Sequence, residues 1–294
     1  METYKIKQLV QVEESIVSNE TRLSICLKAN GFSFSLIDNK SLKLLCVGEF
    51  EVDTTGSIPQ VMNRVRECFS SIGIKMFKFA KTRIISETTK NVWVPYKLYD
   101  QTKNKEYIKT VSNLLSNETV LSNTSEKLDA VSVFAYPMHT YSGVKILMPN
   151  AEYCCQHQIM AEYAYDITRF SQNTLLVNKR ATACDIVLFK GNSFVLSNSF
   201  EYQNAADLIY FILFTLQQLS VDTAEVKTLL TGEEYTKEEL GLLRKYIKDV
   251  SFSNPMENIK VGCEFDSINL QNYFLVIAYS LDENNIGIFK RKTS

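Results

Sequence analysis

The chain of 294 residues carries 32 Lys and Arg against 33 Asp and Glu, a formal net charge of -1. That balance excludes a general attraction to phosphate backbones or anionic membranes. At 45% apolar residues the chain is long enough for one large core or two ordinary ones, and its composition excludes a disordered or fibrous protein.

Residues 1–12 interleave charged and apolar side chains, with no apolar stretch long enough for a signal peptide, so export is not expected. The first patterned segment is Leu23 to Phe50, LSICLKANGFSFSLIDNKSLKLLCVGEF. Phe32, Phe34 and Leu36 alternate with Ser33 and Ser35, the period of two that marks a strand, and Asp38-Asn39-Lys40 reads as a hairpin turn. A three-stranded meander is predicted. Ser57 and Gln60 then form an S-x-x-Q capping box, and Ile58, Val61, Met62, Val65, Cys68, Phe69 and Ile72 follow at helical spacing until Gly73.

Strands are predicted at Ile74–Phe79, Thr82–Ser86, Val92–Val94, Val131–Tyr136 and Tyr153–Gln156, and a helix over Asn104–Leu115. The polar stretch Ile167–Asn173 is the expected hinge. Leu175 to Phe200, LLVNKRATACDIVLFKGNSFVLSNSF, then repeats the layout of the first segment. Placing Leu23 on Leu175 also puts Ile25 on Val177, Leu36 on Leu188 and Asn39 on Gly191, an offset of 152 (175 minus 23). Phe50 meets Phe200 at 150 (200 minus 50), so a strand or turn in between is two residues shorter in the second copy. Asn204 can cap a helix through Leu208, Ile209, Ile212, Leu213, Leu216 and Leu219 that is apolar nearly all round, which predicts burial on more than one side. Its apolar run, Leu208–Leu216, is about half the roughly 20 residues of a membrane-spanning helix, so no membrane insertion is expected. Val226–Leu230 reads as a strand, and Thr236 with Glu239 opens a helix with Leu240, Leu243, Ile247 and Val250 inward.

Strands followed by helices, twice over, define an α/β protein with two mixed sheets, divided into halves at 1–170 and 171–294. This arrangement resembles the actin-like ATPase superfamily, in which each half is a ribonuclease H-like domain. More narrowly, LSICLKANGFSFSLID, DIVLFKGNSFVLSNSFEY and LQNYFLVIAYSL followed by DENNIGIFKR resemble a family of uncharacterised bacterial proteins with that fold, and NSFEY (Asn198 to Tyr202) is the most specific piece. The resemblance implies a fold and not an activity.

The superfamily's ATPases need an acidic residue and glycines in the first hairpin of each half, where backbone amides approach the phosphates and a carboxylate holds the magnesium-bound water. Leu27-Lys28-Ala29-Asn30-Gly31-Phe32 offers only Gly31, and Asn178-Lys179-Arg180-Ala181-Thr182-Ala183 offers neither. Gly232, Gly241 and Gly262 stand alone where paired glycines would support adenosine. Lys179 and Arg180 read as solvated charges at a strand end, with phosphate binding as the alternative.

A ribonuclease H-like nuclease would need carboxylates on the first strand, and Arg22–Lys28 has none; Asp38 and Asp185 are given structural roles. Cys155-Gln156-His157 puts a thiol and an imidazole on one face of a predicted strand, a pairing read as coincidence rather than as a catalytic dyad, and the two histidines, His139 and His157, do not complete a zinc site. No catalytic, cofactor-binding or metal-ligating residue is therefore assigned, and no cofactor is expected.

Seven scattered cysteines without C-x-x-C spacing fit a reducing compartment, the cytoplasm; Cys26, Cys46, Cys68 and Cys184 fall at apolar positions and read as buried. Most aromatics sit at core spacing, with Tyr163, Tyr165 and Phe170 as candidates for an exposed patch. The expected function is that of a non-catalytic scaffold or adaptor whose partner is another protein and not a nucleic acid. The alternative is a degenerate nucleotide sensor.

Overall fold

The computed structural model describes residues 4–12, 16, 18–28, 30–53, 58–74, 79–168 and 172–278. The chain opens with β1 (Tyr4–Gln11), then the predicted meander β2 (Thr21–Lys28), β3 (Gly31–Asp38) and β4 (Leu44–Val52), helix α1 (Ile58–Ser71) and β5 (Lys81–Ser86). Next come β6 (Asn91–Pro95), α2 (Asn104–Val111), β7 (Glu118–Ser125), β8 (Ala130–Pro137), α3 (Met138–Leu147), β9 (Glu152–Cys155) and α4 (Gln156–Ile167). The second meander is β10 (Thr174–Lys179), β11 (Ala183–Lys190) and β12 (Ser193–Glu201), followed by α5 (Ala205–Gln218), β13 (Lys227–Gly232), α6 (Lys237–Tyr246), β14 (Asp249–Phe252) and α7 (Phe274–Ala278).

The sheets run β1-β4-β3-β2-β5-β9, β12-β11-β10-β13-β14 and β6-β8-β7. In both meanders the first strand pairs antiparallel with the second and parallel with a later strand, β5 or β13. The predicted offset is reproduced in the pairing itself: Leu23 faces Leu36 as Leu175 faces Leu188, and Ile25 faces Phe34 as Val177 faces Ile186. The likeness extends to an irregularity. Leu36 and Ile37 face Cys46 and Leu44, so Leu45 is an extra residue in β4; Leu188 and Phe189 face Leu196 and Phe194, so Val195 is an extra residue in β12. The two bulges are 150 residues apart (195 minus 45), the offset that relates Phe50 to Phe200. The two-residue difference therefore lies in the turn before each bulge.

Alternation along β12 places Leu196 and Phe200 against the apolar core beneath α5 and α6. The bulge reverses this alternation, and Phe194 points to the other face, against Trp93 and Phe189.

The chain forms two compact units, each discontinuous in sequence: Met1–Ser86, His139–Tyr153 and Pro255–Ser294 make one, and Glu87–Met138 with Cys154–Asn254 the other. The duplication concerns strand order rather than compactness, because residues 87–138 of the first half pack with the second meander. In the first unit Phe32, Phe34, Phe50 and Phe69 are fully buried and contact one another, with centroids 5.0 Å apart for Phe34 and Phe69. Such aromatic burial contributes about 1.5–3 kcal/mol per side chain. In the second unit Leu175, Val177, Ile186 and Leu188 meet Leu208, Ile212, Leu216 and Leu243 of α5 and α6.

Several elements differ from expectation. The helix after Thr236 ends at Tyr246, because the chain must turn for β14 to run parallel to β13; Val250 is in that strand, facing Thr228. The helix begun at Asn104 ends at Val111, short of Leu115. Gln156 opens α4 rather than closing a strand. β1, β7, α3, α4 and β14 were not predicted. Ser57 of the first capping box, residues 75–78 of a predicted strand, residues 169–171 of the expected hinge, Phe170 and the DENNIGIFKR string lie outside the described residues. No described helix is long and apolar enough to cross a membrane.

Candidate functional site

Register alone places three polar residues in a row. Asn178 of β10 faces Asp185 of β11, which faces Ser199 of β12, so all three side chains share one face of the sheet. Buried polar groups are costly unless they bond one another. Here Asn178 Nδ2 donates to Asp185 Oδ2 at 2.9 Å, and Ser199 Oγ donates to Oδ1 at 2.5 Å.

Helix α4 packs on this face and delivers its first turn to the same carboxylate. Gln156 Nε2 donates to Asp185 Oδ1 at 3.2 Å, while the same amide exchanges two bonds with the Thr88 backbone, at 3.0 and 2.6 Å. Arg180, in the β10–β11 turn, folds back over its own hairpin. Its Nε reaches Oδ2 at 3.0 Å and its Nη2 reaches Oδ1 at 2.8 Å, a two-pronged pairing. Asp185 is fully buried and accepts five bonds in all. Burial, the largest single influence, pushes its carboxyl up, but the Arg180 guanidinium, His157 and the hydrogen bonds from Arg180 and Ser199 together hold the group below its ordinary value.

His157 follows Gln156 and is also buried. Its Nδ1 lies 2.8 Å from Ser197 Oγ and its Nε2 2.9 Å from Ser199 Oγ. Burial lowers its basicity, against the pull of Asp185. In the folded protein the ring is therefore held neutral to a lower pH than in the unfolded chain, where it gains a proton as pH falls through about 6.5. The unfolded state then binds more protons, so stability should fall as pH drops below about 6.5. Urea midpoints measured between pH 7.5 and 5 should show this decline, and His157→Gln should flatten it.

Lys179 points to the opposite face, toward α6. Its Nζ donates to Glu239 Oε2 at 2.6 Å and to the Glu234 carbonyl at 2.8 Å, and sits 5.3 Å from the centre of the Tyr235 ring. Glu239 is the acid of the predicted capping box, whose two bonds are both formed: Thr236 N–H to Glu239 Oε2 at 2.7 Å and Glu239 N–H to Thr236 Oγ1 at 3.1 Å. One carboxylate thus starts a helix and neutralises a buried lysine.

The expectation that Lys179 and Arg180 are solvated charges is corrected. The Lys179 side chain is 10% exposed and that of Arg180 15%, each tied to an internal carboxylate. Asp185 is the centre of the network rather than an isolated acid. Asp38 closes the turn after β3, accepting from the Ser41 and Lys40 amides.

The glycines have local duties. A Cβ on Gly31 would lie 2.0 Å from the Phe50 carbonyl oxygen, and one on Gly232 2.2 Å from that of Lys179, with positive φ of 151° and 88°. Both let neighbouring strands approach. Ala29 of the first hairpin lies outside the described residues.

Cys155 and His157 do not share a strand face. Cys155 closes β9 and its sulfur meets Ser132 Oγ at 3.5 Å and Asn91 Nδ2 at 3.6 Å, while His157 is in α4. Burial pushes the Cys155 thiol up to about 11, away from a reactive thiolate. His139 is exposed. Among the described residues no group of three or more His, Cys, Asp or Glu is placed to hold a metal.

Tyr163 and Tyr165 are half-buried, the latter against Phe189. Exposed aromatics lie elsewhere: besides Tyr96, Tyr246 and Phe252, α5 carries an adjacent pair, Tyr210 and Phe214, which stack at 5.6 Å and are 57% and 39% exposed. The uniform apolarity of this helix hid its outer face from the sequence.

Two sheets of this strand order, each containing a three-stranded meander, place the chain among known folds. A protein of unknown function with an actin-like ATPase fold from Bacteroides thetaiotaomicron matches with a TM-score of 0.73 and 24% identity, over 88% of this chain and 96% of that one. The PilM-PilN type IV pilus biogenesis complex matches with a TM-score of 0.56 and 12% identity, over 90% and 97%. The chain has the actin-like ATPase fold. It belongs to the family described as protein of unknown function (DUF3822), whose model matches residues 13–250. No curated protein matches it.

Proposed function

We propose that this chain is an actin-like protein that does not turn over nucleotide and works in the cytoplasm by binding another protein. The carrying observation is that both cations of the second hairpin are already matched from within, Lys179 by Glu239 and Arg180 by Asp185. A phosphate would have to displace a buried carboxylate from each, and none of the hairpin residues is a glycine that would let backbone amides approach it. The exposed Tyr210 and Phe214, on a helix whose only charged residue is Asp207, supply an apolar surface of the kind that protein partners cover. A complex between two proteins is also what the name of the pilus structure of similar fold describes.

Thermal unfolding with magnesium and millimolar ATP, ADP or GTP tests the first half. A ligand at a hundred times its dissociation constant would add about 2.7 kcal/mol and raise the midpoint by several degrees. The midpoint should stay where it is. A shift, or ATP turnover abolished by changing Lys179 or Arg180, would replace this reading with that of a nucleotide sensor. For the second half, a protein co-purified with the tagged chain should be lost from the Tyr210→Ser, Phe214→Ser double variant.

A further inference from the structure

We propose that Ser197 is a nucleophilic serine that accepts an acyl group from an activated ester, with His157 as its base; this goes beyond protein binding and does not depend on it. The direction of the hydrogen bonds around His157 carries the argument. An ionised carboxylate only accepts, so Ser199 donates its one proton to Asp185 Oδ1, at 2.5 Å. Ser199 Oγ must then accept from His157 Nε2, at 2.9 Å, which fixes the ring proton on that nitrogen. Nδ1 is left bare and faces Ser197 Oγ at 2.8 Å, where it takes the hydroxyl hydrogen bond. Hydroxyl, imidazole and carboxylate in that order are what activation of a serine requires, here with a second hydroxyl between imidazole and carboxylate.

Two placements support the assignment. The bulge at Val195 sets the alternation that aims both Ser197 and Ser199 at α4. β12 is also the outer strand of its sheet, and Ser197 is only half-buried there. The far end of the relay is rigid, because Asp185 is clamped by Arg180, Asn178 and Gln156.

In the reaction Ser197 Oγ attacks the ester carbonyl carbon and passes its proton to His157 Nδ1 as the new C–O bond forms. Collapse of the tetrahedral intermediate breaks the bond to the alcohol, whose oxygen takes the proton from Nδ1. Nothing is oxidised or reduced. The imidazolium formed on the way is stabilised through Ser199 by Asp185.

The full-length chain treated with a fluorophosphonate probe should gain one phosphonyl group, displacing fluoride, and peptide mapping should place it on Ser197. Labelling should vanish in Ser197→Ala and slow by roughly 100-fold or more in His157→Gln, the usual share of a general base. Ser199→Ala, which acts through the imidazole, should slow labelling and move the inflection of its pH profile. No adduct, an adduct elsewhere, or a rate unchanged in His157→Gln overturns the proposal. Should His157→Gln fail to fold, Ser197→Cys provides a second reading. Its new thiol should be alkylated by iodoacetamide faster than the exposed Cys263, and slower alkylation equally overturns the proposal.

Discussion

Asp185→Ala is expected to lower the unfolding free energy by about 3–5 kcal/mol, the range for removing one partner from a buried pair. The loss has two sources. Arg180 loses its two-pronged partner and keeps the more distant Glu87 carboxylate, at 4.0 Å, and the Asn178, Gln156 and Ser199 donors lose the acceptor around which they are arranged. Shape is not the issue. Asp185→Asn keeps the outline of the side chain but presents an NH2 group to several donors, so it should lose nearly as much. Urea unfolding at pH 7 reads the effect as a lower midpoint at unchanged slope. A loss below about 1 kcal/mol, the size of one ordinary hydrogen bond, would mean that the network contributes little to stability.

Glu239→Ala is expected to cost a similar amount, about 3–5 kcal/mol, because Lys179 is equally enclosed. Here the charge and the helix start can be separated. Glutamine at the third helical position still closes a capping box, and methionine fills the volume of a lysine stem without its charge. The Lys179→Met, Glu239→Gln double variant should therefore come within about 1 kcal/mol of the parent, whereas Glu239→Gln alone leaves the lysine charge buried and should fall well below it. If the double variant were as unstable as Glu239→Ala, the capping bonds or packing, and not the ion pair, would be responsible.

How far the sequence foretold this depends on whether the signal was local. The meanders were legible because alternation and turn residues lie within a few positions of each other, and the offset of Leu23 to Leu175 carried over to the pairing unchanged. The Thr236 box was legible for the same reason. The residues that make the site were visible as types, but their pairings were not. Lys179 and Glu239 are 60 positions apart, and no local rule joins them. Gln156, His157 and Gln158 are polar yet buried, so α4 shows no amphipathic stripe by which to be recognised. α5 erred the other way, being apolar where it is exposed.

The extra residues Leu45 and Val195 have a bearing on the history of the chain. Strands and helices can converge on one layout because few layouts pack well, but an unpaired residue inserted at the same step of the same strand is not demanded by packing. Its presence in both meanders indicates that it was inherited by each. The insertion is then older than the doubling of the ancestral unit, and the two-residue difference between the turns before the bulges arose afterwards.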